Sequence, residues 1–401
     1  MVNKKNIIVL SAFWSGIKPF FLEASNNLKG MPAFSNTFFT ILEHENVGKV
    51  YVIFFGKNIE TNYNVPPKYK DKIGVFGYSY SNKTFALFAL MQLLFKVISL
   101  RLGNKIEVIY SHGPIGGVGA ILSNFLMVKS VRRVYGTFLA RELHKTKLQL
   151  FLKHPLEYLT FSLPGNALVI TNDGTKGDLV YKKIGNKKMP LFFWLNGVDK
   201  KIEVKLPITE IQREYSFSFV PDMCYIARID FWKRQHLLVD ILVELKKRGK
   251  HYNVLIAGPV LSDSYFKRIV GTIDKHGLSE NVVVIPGMTR QETLSVIKHS
   301  KLSVSLYDFS NLGNVFLESL TLGTPMLTEN IENSLDLIDK DVYFEIDPKR
   351  TEESADMLQV IFDNENQILQ KSKKAISFSN AFLNTWQERV KKEIDLLGLE
   401  G

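Results

Sequence analysis

Cysteine is nearly absent from this chain of 401 residues: Cys224 is the only one. A lone thiol cannot close an internal disulfide, so no oxidising compartment is demanded. Cys224 sits in the apolar run Met223-Cys224-Tyr225-Ile226 and reads as a core thiol. Long apolar runs are also missing. The best spanning candidate, residues 85–100, is interrupted by Gln92 and Lys96 and falls short of the ~20 residues a membrane helix needs. It is expected to be a buried or surface-bound helix. The first ten residues lack the apolar core and small-residue cleavage site of a secretion signal, which leads to the expectation of a cytoplasmic protein. There is no short repeat and no low-complexity tract. The eight histidines do not pair with carboxylates at ligand spacing, and Asp339-Lys340-Asp341 reads as a solvated turn, so neither a metal nor another cofactor is expected.

Acidic residues are scarce in one half only. Residues 1–200 hold 26 Lys and Arg against 11 Asp and Glu, a balance of +15, whereas the remainder holds 25 against 29. A basic half beside a near-neutral one suggests an anionic partner for the first half: an acidic membrane surface, a lipid-linked diphosphate or nucleic acid. No helix-turn-helix, RNA-binding sheet or zinc motif supports nucleic acid.

With 45% hydrophobic residues the chain can bury two cores, and its length favours two domains. Strand-like runs at 7–10, 50–55, 106–110, 133–137, 168–171 and 191–195 alternate with helical patterns at 33–45, 84–102 and 118–128. A second series has strands at 224–228, 253–257, 282–285, 302–306 and 326–328, with helices near 235–248, 265–276, 290–298 and 315–322. Such alternation implies parallel sheets with right-handed crossovers. The expected fold class is α/β, two doubly wound Rossmann-like domains facing across a cleft. Residues 1–200 form the first domain, 201–214 a linker and 215–379 the second. A terminal helix over 380–401 returns to the first. Ligands bind such sheets beyond the carboxyl ends of the strands.

Two segments carry chemistry there. In Arg228-Ile229-Asp230-Phe231-Trp232-Lys233 two cations stand five apart after a strand. A planar guanidinium and a point-like ammonium suit a diphosphate. In Ser310-Asn311-Leu312-Gly313-Asn314-Val315-Phe316-Leu317-Glu318, Gly313 and Asn314 stand where a helix starts, and free N–H groups there suit a phosphate. Glu318 lies about a turn inside an otherwise apolar helix, and its carboxylate matches a vicinal diol such as ribose. Gly323-Thr324-Pro325 closes that helix.

Together these segments resemble the retaining glycosyltransferases of family 4, which have the GT-B fold. Arg228 and Lys233 match that family's Arg-x4-Lys element. Gly313, Glu318, Gly323 and Pro325 match its Glu-x7-Glu and Gly-x-Pro elements, and Asn196-Gly197-Val198-Asp199 resembles its end-of-domain turn. The resemblance is clear over 196–330 and general over the first half. It implies that Arg228 and Lys233 hold the diphosphate of a UDP- or GDP-sugar and carry most of the catalysis. It further implies that Glu318 binds the ribose, that the backbone of Gly313, Asn314 and Val315 meets the phosphates, and that Gly287 and Met288 touch the base. Where the family has its first Glu, this chain has Ser310, so Ser310 or Asn311 would offer neutral hydrogen bonds to the donor sugar. The family's first-domain histidine is also missing in register, where Gly136-Thr137 stands. His112, at the carboxyl end of a strand, is the nearest alternative.

The implied reaction is a front-face, retaining transfer of a hexose-type sugar with no covalent enzyme nucleophile, resting on positioning and on charge at the departing diphosphate. The acceptor, a glycan or a lipid-linked molecule, would bind the first domain. The loop Phe13-Trp14-Ser15-Gly16-Ile17-Lys18-Pro19-Phe20-Phe21-Leu22, with Gly16, and the turn at Gly30 lie on that side, and Asp173 ends another strand there. Aromatics among cations suit a lipid head-group region, so peripheral contact with an anionic inner membrane and a place in bacterial surface polysaccharide or lipopolysaccharide assembly are expected. The competing readings are a non-catalytic nucleotide-sugar-binding protein, for which Ser310 speaks, and an epimerase or phosphorylase of the same fold. The epimerase would need a His and carboxylate set, the phosphorylase a Lys for pyridoxal phosphate.

Overall fold

The computed structural model describes residues 4–12, 17–25, 32–331 and 334–400. It divides into two units, one of residues 1–172, 176–197 and 386–401, the other of 173–175 and 198–385.

The first unit is built on seven parallel strands: β1 (Lys5–Ser11), β2 (Val47–Lys57), β3 (Ile73–Tyr80), β4 (Ile106–His112), β5 (Lys129–Val134), β6 (Ala167–Thr171) and β7 (Leu191–Trp194). Their spatial order is β3-β2-β1-β4-β5-β6-β7. The near-continuous apolar runs follow from burial on both faces. Ile7 and Val9 point into one core, shared with Val52, Val108 and the terminal-helix residues Val390 and Ile394. Ile8 and Leu10 point into the other, shared with Leu93, Val97, Val118 and Leu122.

The second unit has six strands: β8 (Met223–Ile226), β9 (Val254–Ala257), β10 (Val282–Ile285), β11 (Leu302–Ser305), β12 (Met326–Thr328) and β13 (Tyr343–Glu345). Their order is β10-β9-β8-β11-β12-β13, and every pairing is parallel. Met223 and Tyr225 enter one core with Leu238 and Leu358. Cys224 and Ile226 enter the other with Leu294 and Leu322. Cys224 is a fully buried thiol, and loss of solvent pushes its pKa up to about 11.

Several elements differ from the sequence reading. The run expected at 133–137 is the strand Lys129–Val134, four residues earlier. Its Lys-Ser-Val-Arg-Arg-Val looks polar, but its arginines are buried and paired. Arg132 Nη1 donates to Thr160 O at 2.7 Å and Leu163 O at 2.9 Å, and Arg133 Nε faces Glu393 at 3.1 Å. The strands β3 and β13 were not anticipated. The stretch 201–214 is not all linker: 208–214 is a helix that buries Ile208 and Ile211. The terminal helix is Trp386–Leu397, and residues 380–382 finish the preceding helix Glu365–Phe382. Between them Val198 N donates to Asn384 O at 2.9 Å. The helix Lys83–Gly103 has 21 residues and is long and apolar enough to cross a membrane by length and composition, longer than the interrupted run suggested.

Candidate active site

The strand order of the second unit reverses between β8 and β11. From β8 the chain moves outward to β9 and β10, and from β11 outward the other way to β12 and β13. Loops leaving the carboxyl ends of β8 and β11 therefore part and leave a crevice, the place where open α/β sheets bind ligands. Both chemistry-bearing segments leave those two strands.

After β8 the chain passes Arg228 and enters the short turn Phe231–Lys233, capped by Asp230, whose Oδ1 accepts from Phe231 N at 2.7 Å. Arg234 follows in left-handed conformation. This sharp turn folds Lys233 back over its own loop. Its Nζ lies 3.7 Å from the centroid of Trp232 and 3.3 Å from that of Tyr307. The Arg228 guanidinium lies 5.4 Å from the Trp232 ring. One indole thus gathers both cations. They differ in setting, for Arg228 is exposed and Lys233 is only 8% exposed. Burial, and then the neighbouring Arg228, bring the Lys233 ammonium down to about 6.

The loops after β8 and β11 are pinned to one another. Asp308 N donates to Trp232 O at 3.0 Å. Leu306 N donates to Tyr225 Oη at 3.1 Å, and Tyr307 Oη donates to Ile226 O at 3.2 Å. Next to them, Gly258 follows β9 with φ +155°, and a Cβ there would lie 1.9 Å from Ala227 O. Only glycine lets the two backbones pass this closely.

Ser310 holds the left-handed conformation, φ +63°, uncommon outside glycine. Its hydroxyl donates to Asp173 Oδ2 at 2.7 Å, and Leu312 N donates to Asp173 O at 3.0 Å. Asp173 Oδ1 accepts from Thr175 Oγ1 at 2.7 Å. Loss of solvent raises the Asp173 carboxyl, and the bonds from Thr175 and Ser310 oppose that rise. Asp173, expected on the acceptor side of the first domain, is thus grouped with the second unit. A carboxylate accordingly stands next to Ser310, supplied from 137 residues away. Asn311 is spent on the scaffold. Its Oδ1 accepts from Tyr307 N at 2.8 Å and Ser305 Oγ at 3.1 Å, and its Nδ2 donates to Tyr307 O and Glu329 O at 3.1 Å each.

The helix Asn314–Leu322 begins at Gly313, its N-cap. Open space surrounds the position a Cβ would take on Gly313, and the same holds at Gly287, φ +116°, after β10. Met288 and Val315 pack at the edge of the adjoining core. Glu318 is 7% exposed. Arg290 Nη1 donates to its Oε1 at 2.6 Å, while Arg290 Nη2 reaches Asp199 at 3.0 Å. Burial raises the Glu318 carboxyl, and Arg290 restrains it. Arg290 stands at the first position of the helix Arg290–His299, started by a Thr289/Glu292 capping box.

The sequence reading missed Arg290, Trp232, Tyr307 and Asp173's partnership. Tyr307, the second residue after β11, had a signal in its place at the switch point. Arg290 had none, since its partner lies 28 residues on.

In the first unit the order reverses between β1 and β4. His112 ends β4. It is buried rather than displayed, with Nδ1 2.8 Å from Tyr135 Oη, Phe34 edge-on at 5.0 Å and Tyr110 at 4.3 Å. Burial and Arg133 hold its pKa well below the usual value, so the imidazole is neutral at physiological pH. Gly16 and Gly30 lie outside the described residues. Thr137, in the other register considered, donates to Glu157 Oε1 at 2.6 Å. Asp339 caps a short turn, its Oδ1 accepting from Asp341 N at 2.9 Å. Among the described residues no group of three or more His, Cys, Asp or Glu could hold a metal.

Comparison with known proteins adds to this geometry. Residues 209–378 match the family described as glycosyl transferases group 1. A curated relative, the alpha-D-kanosaminyltransferase of Streptomyces kanamyceticus, is 26% identical over 156 residues, 39% of this chain and 40% of that protein. The match thus spans about two fifths of the relative's length. Among solved structures, Anabaena HepE in complex with UDP and glucose superposes with a TM-score of 0.69 at 17% identity, covering 97% of this chain and 98% of that one. Sucrose-phosphate synthase from Thermosynechococcus elongatus gives 0.70 at 14% identity, covering 98% of each. At these identities the superpositions speak for the fold. The chain has the GT-B fold, and the region matched by the glycosyl transferases group 1 family makes up most of its second unit.

Proposed function

We propose that the protein is a retaining glycosyltransferase that binds a UDP- or GDP-sugar in its second unit and transfers a hexose-type sugar to a glycan or lipid-linked acceptor. The observation that carries this is the crevice between β8 and β11. Arg228 and Lys233 meet there on the Trp232 ring, opposite a helix whose first residues follow the open Gly313. The two cations hold the diphosphate, and the N–H groups at Asn314 and Val315 take its oxygens. Glu318, oriented by Arg290, accepts from the ribose hydroxyls, and Gly287 leaves room for the base. As the bond from the sugar carbon to the phosphate oxygen breaks, negative charge grows on that oxygen. Arg228 and Lys233 meet it in place. The acceptor oxygen bonds to the sugar carbon on the same face and its proton leaves with the diphosphate. On this reading the pair supplies the charge that a divalent metal supplies in other phosphate sites. The Ser310–Asp173 pair lies where the donor sugar would be read and would set donor preference.

The family-4 resemblance supports retention. The basic first half supports a lipid-linked acceptor, work at the inner face of the cytoplasmic membrane and a role in surface polysaccharide or lipopolysaccharide assembly. Thermal stabilisation by UDP, GDP, ADP and their sugar conjugates tests the donor site. A ligand at about 100 times its dissociation constant adds about 2.7 kcal/mol. One nucleotide should stabilise the wild type and fail with Arg228→Ala and Glu318→Ala. No response in the wild type refutes the site. The anomeric configuration of the product, read by NMR, then tests retention.

A further inference from the structure

The helix Lys83–Gly103 carries two opposite apolar faces. Ala89, Leu93, Val97 and Leu100 are buried, and the last three lie in a core with Ile8, Leu10, Tyr51 and Ile53 of the first sheet. The other face is bare. Phe85, Phe88 and Phe95 are 56%, 62% and 65% exposed, and Met91 and Leu102 are exposed with them. At 100° per residue all five fall within about 120° of one another around the axis, a single stripe. The neighbouring helix Gly116–Leu126 covers the same sheet face through Val118 and Leu122, and it adds exposed Phe125, with Met127 just beyond its end. Apolar surface on this scale marks an interaction site.

Charge says what covers it. From residue 72 to 141 the sequence holds nine Lys and Arg and a single acid, Glu107; Arg132 and Arg133 are buried in the sheet, which leaves seven. Lys83 opens the helix, Arg101 stands in its last turn and Lys105 follows. Lys96 Nζ leans on the flank over the Phe76 ring at 3.9 Å. Lys105 pairs with Glu107 at 3.7 Å, and Lys83, Lys96 and Arg101 leave the rim of the phenylalanines net positive, which fits the boundary between acyl chains and anionic head groups. A protein partner would have to supply a matching acidic rim around the aromatics. The helix cannot span, because its inner face is committed to the sheet.

We propose that the outward face of Lys83–Gly103, with Phe125 and Met127, docks the first unit onto an anionic bilayer, lying in the interface with its phenylalanines inserted. The assignment of the bilayer to the cell's inner face rests on the reaction proposed above; the docking surface does not.

The test uses the full chain and sucrose-loaded vesicles of phosphatidylcholine alone or with about 30% phosphatidylglycerol. The wild type should sediment with the anionic vesicles, less so as salt rises. Phe88→Asp with Phe95→Asp should weaken partitioning at least about tenfold while melting normally. Cys224 is buried, so Ser99→Cys, on the exposed stripe, takes a single environment-sensitive dye. Its emission should shift to the blue on anionic vesicles. Wild type that ignores anionic vesicles, an unshifted dye, or an aspartate variant that binds undiminished overturns the proposal. So does a dimer in lipid-free sedimentation that the aspartates dissolve, for a second copy then covers the face. Nucleotide stabilisation of the same variants separates the two readings. Its survival with failed docking sinks only the surface, and its loss from a wild type that still docks sinks only the donor site.

Discussion

Donor binding should weaken as pH rises above neutrality, and Lys233 is the reason. Its ammonium, buried between Trp232 and Tyr307 and next to Arg228, has its pKa brought down to about 6 in the ligand-free protein. At pH 8 roughly one molecule in a hundred carries that proton. A diphosphate against Nζ favours the charged form and moves the pKa back toward the ordinary lysine value of about 10.4. Binding at pH 8 should therefore take up close to one proton, and affinity should fall by about tenfold per pH unit between 6.5 and 8.5, about 2.7 kcal/mol over the range. UDP-glucose is the better probe, because its diphosphate is esterified at both ends and lacks the phosphate ionisation near pH 6 that UDP has. Calorimetry at pH 8 in two buffers of different ionisation enthalpy reads the proton directly. Lys233→Arg, permanently charged, should bind with a flat pH profile and no uptake. A wild type with flat affinity and no uptake would refute the argument. The stability of the ligand-free protein runs the other way. The unfolded chain holds this proton between about pH 6 and 10.4 and the folded chain does not, so the group makes stability rise with pH across that window. Lys233→Met should melt higher than wild type at pH 7 without ligand, with the gap closing toward pH 10.

Arg290→Ala should weaken nucleotide-sugar affinity by roughly 1–2 kcal/mol and raise the Glu318 carboxyl further, so that the loss is worse at pH 6 than at pH 8. Calorimetry at both pH values checks this, and Arg290→Lys should restore part of it. Gly258→Ala places a Cβ 1.9 Å from Ala227 O and should cost at least about 2 kcal/mol in urea unfolding; an unchanged midpoint would show that the two backbones can part freely. Glu393→Gln should cost about 3–5 kcal/mol and lower Tm visibly, because Glu393 Oε1 faces Arg133 at 3.1 Å and Arg389 at 2.7 Å in the buried seat of the terminal helix.

Much of this molecule is local and therefore legible in its sequence. Strands buried on both faces must be apolar throughout, which is why 282–285 and 326–328 could be read to the residue. The helix Asn314–Leu322 announces itself by Gly313 before it and Gly323, φ +78°, after it. The five-residue spacing of Arg228 and Lys233 encloses one short turn, so the pairing was visible too. Two of the four edge strands, β3 and β13, were hidden for the opposite reason. β3 is only partly buried and broken by Gly74 and Gly77, and β13 ends on the exposed Glu345, so neither bears the double-faced pattern. Arg132 and Arg133 disguised β5, since burial of a guanidinium depends on partners at Thr160, Leu163 and Glu393 that no local pattern contains.

What the site does chemically was decided at longer range. The sequence placed a lysine after β8. Only the return of Tyr307 from β11, more than 70 residues later, strips it of water and brings its proton within reach of physiological pH. It placed a carboxylate at Glu318, and the tertiary structure set Arg290 against it. It put a serine where the family has a glutamate, and the fold brought Asp173 to that serine. The outward phenylalanines of Lys83–Gly103 are as apolar as the inward leucines, and only the position of the sheet tells which face is bare. Residue type and spacing fix what a segment can form, because those forces act within a few residues. Burial, partner and proton affinity depend on what the rest of the chain brings within a few ångströms.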